Sequence, residues 1–416
     1  MASPPRLRTA DAPPTGADLV VVGAGVVGAA TAWFACLAGL RTVVLDARPR
    51  PATLTTAAAS GAFRLQFDDA DEVALIRESL DVFDAFAERA ELPGYDLRIE
   101  RNGYLFCALD EATAERQRAL VERQRGFGLD DVELLDGDEA RRRFPYLSTD
   151  VVQARFRARD GFLDQVRLAW GYALAASRAG ATFCFGQRAA AIHVAGGRVV
   201  GVETHDGSIS TPAVVLATGP FLARTAALAG IDLDIRPTRR QKLVMPDVPE
   251  VPPDAPMTID DASAAHWRPA FGGAFVLCTE PDTPPAEPSW DVTPAGDFAF
   301  RVLDPASPQS VARLAPFWAQ VWERGQRWYT QAGQYEYTPD RRPFIGAAGS
   351  LGPAGVWING GYSGHGVMAS AGGARLLVDL MTGRSSAPSG GLVVGEARTN
   401  PFRPDRPMRE RQRDVL

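Results

Sequence analysis

The apolar positions of this chain follow two rhythms, and the switches between them mark its parts. Asp18-Leu-Val-Val-Val-Gly23 is an unbroken apolar run closed by glycine, as in a strand buried on both faces of a parallel sheet. Val26 to about Gly39 is a run of small residues of helical length, and Arg41-Thr-Val-Val-Leu45 is a second strand. Together they make a strand, a turn, a helix and a strand within about thirty residues, the span such a unit needs. Helical spacing returns at Asp71–Ala90, where Val73, Ile76, Leu80, Phe83 and Phe86 form a stripe, and again at Glu111–Phe127 and Leu163–Arg178. Strands are predicted at 101–108, 189–194 and 198–204, with Asp206-Gly207 as a turn. Ala213-Val-Val-Leu-Ala217 resumes the buried parallel pattern, and Val356-Trp-Ile-Asn359 is a last short strand. Gly360 to Gly366 then leads into an apolar helix, Val367 to about Met381, stopped at Gly383.

This order predicts an α/β protein whose first domain is discontinuous, built from 17–75, 150–225 and 335–385. A second, mixed-sheet domain takes 76–149 and 226–334, with proline-rich loops at 246–256 and 281–288 and a helix near 310–323. Residues 1–16 and 403–416 read as flexible tails; the first lacks the apolar stretch of a signal peptide.

One segment tests a membrane reading. Leu19 to Leu40 carries no charge and is long enough to cross a bilayer, but Gly23 and Gly25 interrupt it, and a strand, turn and helix account for the same residues. No membrane span is expected. The 416 residues are 46% hydrophobic and 23% charged with a formal charge of −6, and their charges are interspersed, which leaves no basic stripe for nucleic acid. Cys36, Cys107, Cys184 and Cys278 are scattered, and no two histidines stand at a metal-ligand interval. Neither a metal site nor a disulfide framework is expected, and the default compartment is the cytoplasm.

Gly23-x-Gly25-x-x-Gly28 follows the first strand and opens the helix. The glycines serve a tight turn, a close approach of backbone to a pyrophosphate, and close packing of helix on strand. Asp46 ends the second strand, where a carboxylate can accept hydrogen bonds from ribose hydroxyls. The unit is a Rossmann-type dinucleotide site, and the fingerprint leaves NAD and FAD both open.

The remainder of the chain separates them. Ala57-Ala-Ala-Ser-Gly-Ala-Phe-Arg64, Ala217-Thr-Gly219-Pro220, and Thr338-Pro-Asp340 followed by Tyr362-Ser-Gly-His-Gly366 stand in that order. The ordered set resembles the FAD-dependent oxidoreductases of the D-amino-acid-oxidase superfamily, on the branch of sarcosine and glycine oxidases and dimethylglycine-type dehydrogenases. It implies a glutathione-reductase-like FAD domain and a sheet-rich substrate domain. By the resemblance, Gly23, Gly25, Gly28 and Asp46 hold the pyrophosphate and adenosine ends of FAD. Ser60 and Gly61 lie along the pyrophosphate and flavin, Thr218 and Gly219 belong to the same site, and Gly361, Tyr362, Ser363, Gly364, His365, Gly366, Val367 and Met368 form the loop over the pyrimidine edge. A glycine-rich turn feeding a helix offers N–H groups to the negative charge of a reduced flavin, whatever the family.

Three residues are the candidates for catalysis. The arginine at the place of Arg64 holds the substrate carboxylate in the sarcosine-oxidase-like pattern, although pairing with Asp68 or Asp69 would also occupy it. His365 either tunes a proton or packs within its loop. Lys242, the chain's only lysine, is either a positive charge near the flavin or a solvated side chain. Tyr104, Trp267, Tyr335 and Tyr337 line an aromatic pocket or serve as core. The pattern also departs from its relatives. Met368 stands where they carry a lysine, a second lysine near Phe275-Val-Leu-Cys278 is missing, and Cys278 does not match a covalent attachment pattern, so non-covalent FAD is expected.

The activity implied is oxidation of the C–N bond of a small amine or amino acid, such as an N-methyl or cyclic amino acid, by hydride transfer to flavin N5. Oxygen or another acceptor would then take the electrons. Oxidation of a 2-hydroxy acid, or service as the flavin-bearing subunit of a multi-protein dehydrogenase, are the alternatives.

Overall fold

The computed structural model describes residues 6–384 and 400–411. The first rhythm folds as its pattern requires. Leu19–Val22 is a buried strand, Val26–Leu37 a helix and Thr42–Asp46 a second strand parallel to the first, with Val20 opposite Val43. Chain segments far apart in sequence then extend this sheet. Val214–Leu216 pairs with Leu19–Val22, Val356–Gly360 pairs with Val214–Leu216, Thr182–Phe185 adds beyond Thr42–Asp46, and antiparallel Phe344–Ala347 closes the other edge. Every residue of the two central strands is buried on both faces, which is why their sequences are apolar without alternation. The helices Val26–Leu37, Gln165–Arg178 and Ser370–Thr382 pack on one side. A small antiparallel sheet of Ala191–Ala195, Arg198–Thr204 and Gly207–Ser210 stands on the other.

An eight-stranded mixed sheet forms the second part, in the spatial order Tyr329–Tyr337, Arg236–Met245, Gly273–Cys278, Ala265–Ala270, Met257–Asp260, Tyr104–Ala108, Gln153–Arg157, Glu133–Asp136. Its outer face is apolar. Leu243, Met245, Trp267 and Val276 pack there on the helices Phe298–Leu303 and Phe317–Glu323. Its inner face holds Arg155, His266, Arg268 and Lys242, and their alternation with those outer residues sets the chemistry described below.

Several expectations need correction. Gln153–Arg157 belongs to the eight-stranded sheet, not to the nucleotide part that was expected to resume at 150, because it pairs with Tyr104–Ala108. Tyr329–Tyr337 lies in that same sheet, so the expected boundary at 335 falls inside a strand. The expected long helix over 71–90 breaks at Ala85 into Ala70–Asp84 and Phe86–Arg89. The final helix begins at Ser370 rather than Val367, because the turn from His365 to Ala369 intervenes, and Gly383 caps it with φ +64°. Neither terminal segment is free where it is described. Thr9 bridges to Phe183, Phe402 is fully buried, and Arg406 and Arg411 are paired with Asp340 and Asp69. Residues 1–5, 385–399 and 412–416 lie outside the described residues, and with them the end of the expected first domain at 385. Among the described residues no helix is long and apolar enough to cross a membrane.

Candidate active site

A cavity of about 560 Å³ opens where the two parallel strands end. Its floor is the turn after Leu19–Val22. Gly23 has φ +108°, and a Cβ there would lie 2.3 Å from the Ala217 carbonyl oxygen. At Gly28 a Cβ would lie 1.9 Å from the Gly23 carbonyl oxygen, so helix and turn touch only because both residues lack side chains. Gly25 and Val26 face the cavity at the helix start, where the N-cap glycine has no side chain to cap it and the first turn holds no acidic residue. Such a terminus presents N–H groups and the positive end of the helix dipole to an anion. Thr56 steadies it by accepting the Val26 N–H at 3.2 Å.

Asp46 lies on the cavity wall, with its carboxylate accepting the Ala24 N–H at 2.6 Å and the Arg48 N–H at 2.8 Å. Burial raises its pKa, and the two amides oppose that rise. From there the wall continues through Gln187 to Ala190, through Thr218 and Gly219, and on to Tyr335, Glu336, Gly364, Gly366 and Val367. Trp290 closes one side by stacking on Phe221, with ring centroids 4.1 Å apart. The proline-rich loop carrying Trp290 is tied across to the nucleotide part by Arg224, which pairs with Glu287 at 2.7 Å.

The expected cofactor residues divide accordingly. Gly23, Gly25, Asp46, Thr218, Gly219, Gly364, Gly366 and Val367 line the cavity. Gly28 supports it from behind, and Ser60 lines a small adjoining cavity of about 20 Å³. Tyr362 is 1% exposed and serves the core, donating to Asn359, whose amide donates to Thr31 on the nucleotide helix. Ser363 takes φ +52° and pins the loop to the strand 329–337, its N–H reaching the Glu336 carbonyl at 3.2 Å. Gly361 and Gly61 meet neighbouring protein groups, Thr338 and Leu163, and Met368 is buried in the core. Gly364 leaves room for Tyr335, whose ring a Cβ would meet at 2.6 Å.

The three catalytic candidates are not brought together in that cavity. The Arg64 guanidinium lies 4.3 Å from the centre of the Phe67 ring and 5.2 Å from that of Phe106, donates to the Gln66 carbonyl, and is outside the cavity wall. His365 turns away toward the helix Ala70–Asp84, its ring edge on Phe67 and its Nδ1 3.9 Å from a Glu72 oxygen. Lys242 is 2% exposed, not solvated, and lines the small cavity with Arg240, Ser60 and Tyr335. Burial lowers its pKa to about 7, helped by the like charge of Arg268. Of the aromatic candidates, Tyr335 reaches both cavities, Trp267 belongs to the outer core, and Tyr104 faces Arg64. Cys278 is also on the outer side, its thiol pushed up to about 12 by burial.

Two residues of the site escaped sequence reasoning. Arg240 alternates with Lys242 on one face of the strand Arg236–Met245, and its guanidinium is held by the Tyr337 hydroxyl at 3.1 Å. That alternation was the available signal. Glu336 is a buried carboxyl on the cavity wall whose pKa burial raises to about 7, with amides of its own residue and Tyr362 opposing the rise. Nothing in the sequence around it marks it.

These residues fit an extended dinucleotide cofactor. The glycine cradle is sterically exclusive, the helix terminus suits phosphates, and Asp46 suits a ribose. Comparison with known proteins agrees. The family described as FAD dependent oxidoreductase matches residues 18–380. The chain is 24% identical to the FAD-dependent oxidoreductase domain-containing protein 1 of Xenopus laevis, over 91% of this chain and 81% of that protein. It is 26% identical to the D-amino acid dehydrogenase of Cereibacter sphaeroides, over 88% of this chain and 92% of that protein. In fold it is similar to the L-proline dehydrogenase of P. horikoshii, with a TM-score of 0.77 at 24% identity over 89% of this chain and 94% of that one.

Proposed function

Because the chain belongs to the FAD dependent oxidoreductase family, we propose that it oxidises the C–N bond of a small amine or amino acid. FAD, when bound, supplies the acceptor for the hydride that leaves the substrate carbon. Gly23, Gly25, Asp46, Thr218, Gly219, Gly364 and Gly366 would hold it. The substrate, having lost a hydride from carbon and a proton from nitrogen, becomes an imine that water hydrolyses. The electrons pass on to oxygen or another acceptor. Similarity to proteins named for amino-acid substrates supports this choice.

The observation that carries the reading is the set of buried cations on the inner face of the eight-stranded sheet, next to the cavity. A carboxylate is what such a face can bind from an amino acid. Arg240 is the proposed partner. It is half-buried, lines the small cavity beside Ser60 and Tyr335, and among the described residues is held by a tyrosine hydroxyl and a backbone carbonyl rather than by a carboxylate. Arg64, the candidate from sequence, is more enclosed and is proposed as its support from behind the aromatic layer of Phe67 and Phe106. A carboxylate fixed by a guanidinium fork would orient the neighbouring C–H, so recognition and reaction geometry are one event.

The test is anaerobic addition of amino acids, N-methyl amino acids, cyclic amino acids and 2-hydroxy acids to the FAD-loaded protein, following the flavin absorbance. Bleaching by an amino acid, with an Arg240→Met variant raising KM by about tenfold or more as expected for one lost charged hydrogen-bonding pair, supports the reading. Bleaching by 2-hydroxy acids alone would refute the C–N assignment. An unchanged KM in Arg240→Met with a raised one in Arg64→Met would move the carboxylate to Arg64.

A further inference from the structure

Four successive backbone carbonyls, those of Ala57, Ala58, Ala59 and Ser60, are each taken by a side chain from elsewhere in the chain. Gln165 Nε2 donates to Ala57 O at 3.1 Å and to Ala59 O at 2.9 Å. Lys242 Nζ donates to Ala58 O at 2.9 Å and to Ala59 O at 2.6 Å. Arg268 donates through Nε and Nη2 to Ser60 O at 3.0 and 2.6 Å. The two cations come from different strands of the eight-stranded sheet and share one aromatic face, Nζ of Lys242 lying 4.4 Å and Cζ of Arg268 4.5 Å from the centre of the Phe275 ring.

Burying two like charges side by side is unfavourable unless each finds several acceptors. Among the described residues the charged group that perturbs Lys242 is Arg268, which makes matters worse. The acceptors that offset this are peptide oxygens at the C-terminal end of the short helix Thr55–Ala58, where carbonyls carry partial negative charge. The remaining Arg268 nitrogen also ends on a carbonyl, that of Pro269.

A trans peptide plane points its N–H away from its carbonyl. The carbonyls of Ala59 and Ser60 point to the sheet cations, so the amides of Ser60 and Gly61 point away from them; the residue just before, Ala59, lines the main cavity. Among the described residues neither amide has a hydrogen-bond acceptor. Gly61 has φ +73°, the left-handed conformation that turns successive N–H groups into an anion-accepting concavity.

We propose that Lys242 and Arg268 are positioning residues: together they clamp the Ala58–Ser60 peptide planes so that the Ser60 and Gly61 amides are held ready for the cofactor. The substrate sheet thereby sets the shape of the cofactor loop. The single lysine acts through two peptide groups, those of Ala58 and Ala59, and not by direct contact with substrate. This role needs no particular substrate and stands apart from the C–N assignment.

The test is the dissociation constant of FAD, measured by flavin fluorescence on reconstituting the full-length apoprotein, for the wild type and Lys242→Met between pH 6 and pH 9. Arg240 lies beside the clamp; burial lowers Arg268 only to about 10 and pushes the Tyr335 phenol up to about 12, while Glu336 on the cavity wall, raised to about 7, titrates in wild type and variant alike and so drops out of their ratio. Lys242 is therefore the group of the clamp that changes charge in this window. The expected result is about tenfold weaker FAD binding in Lys242→Met at pH 6, narrowing to less than threefold at pH 9 as the wild-type ammonium loses its proton. A ratio below twofold at pH 6, or one of constant size across the range, would overturn the clamp. Should the variant not fold, the wild type itself gives the answer. Isotope labelling of lysine reports on Lys242 alone, and its ε-carbon resonance should move when FAD is added to the apoprotein. An ε-carbon resonance indifferent to FAD would overturn the proposal equally.

Discussion

Replacing Glu336 by glutamine should stabilise the protein at alkaline pH and leave it unchanged in mild acid. The carboxyl is buried on the cavity wall, and its pKa rises from 4.5 to about 7 because burial penalises the charged form. Among the described residues no cation offsets that penalty. In the unfolded chain the group ionises near 4.5, so between about pH 4.5 and 7 the folded state holds a proton that the unfolded state has released. Stability conferred by this group therefore falls as pH rises through that window, and above pH 7 the full cost is present. A rise of about 2.5 units corresponds to roughly 3 kcal/mol at 1.36 kcal/mol per unit. Glutamine has the same shape, keeps an oxygen for the Tyr362 amide, and carries no charge at any pH. With an unfolding entropy of about 2.1 cal/mol/K per residue, 3 kcal/mol corresponds to a rise in Tm of roughly 3 to 4 °C for a chain of this size. The assay is thermal unfolding of wild type and Glu336→Gln at pH 5 and pH 8.5, with FAD in excess in both. A Tm difference of the same size at both pH values, or one larger at pH 5, would refute the account of Glu336 as an unpaired buried acid.

Two other perturbations follow from the geometry. Gly28→Ala places a methyl 1.9 Å from the Gly23 carbonyl oxygen, so helix and turn must move apart and the purified variant should carry little or no flavin; a yellow protein with wild-type flavin content would contradict the cradle. Asp69 caps the helix Ala70–Asp84 and pairs with Arg342 and Arg411, and although burial pushes its carboxyl up, the two guanidinium groups hold it below its ordinary value. Its contribution is present above the usual carboxylate range and lost as pH falls through its own, lower pKa, so Asp69→Asn should cost about 1 to 3 kcal/mol in urea unfolding at pH 7 and much less near pH 2; equal losses at both pH values would argue against the ion pairs.

What the sequence made legible was whatever rested on local pattern. The unit Leu19–Asp46 announced itself because a strand buried on both faces must be continuously apolar and the turn after it admits only glycine. The strands of the second sheet were harder because their buried face is polar. Gln153–Arg157 is wholly buried yet alternates glutamine and arginines with apolar residues, which reads as a surface segment. Arg236–Met245 has the same difficulty, since Arg240 and Lys242 meet a tyrosine hydroxyl, peptide oxygens and aromatic faces that come from distant positions. The charged stretch after Arg403 looked like solvated tail for the same reason, its partners Asp340 and Asp69 lying far back in the chain. Charge legible only through its partner needs the fold to be read.

The sheet order also sets a timetable for synthesis. Asp46 leaves the ribosome early, but the opposite wall of the same cavity, at Gly364 to Val367, is made more than 300 residues later, and the strand Val356–Gly360 cannot join before then. At about 5 to 20 residues per second, the interval is on the order of 16 to 64 s. Until then the nascent chain carries only half a nucleotide pocket, and once Val214–Leu216 is made it carries an open parallel edge there as well. Cofactor capture is thus a closing event of folding in this architecture, and a cell short of flavin would meet the problem in nearly finished chains.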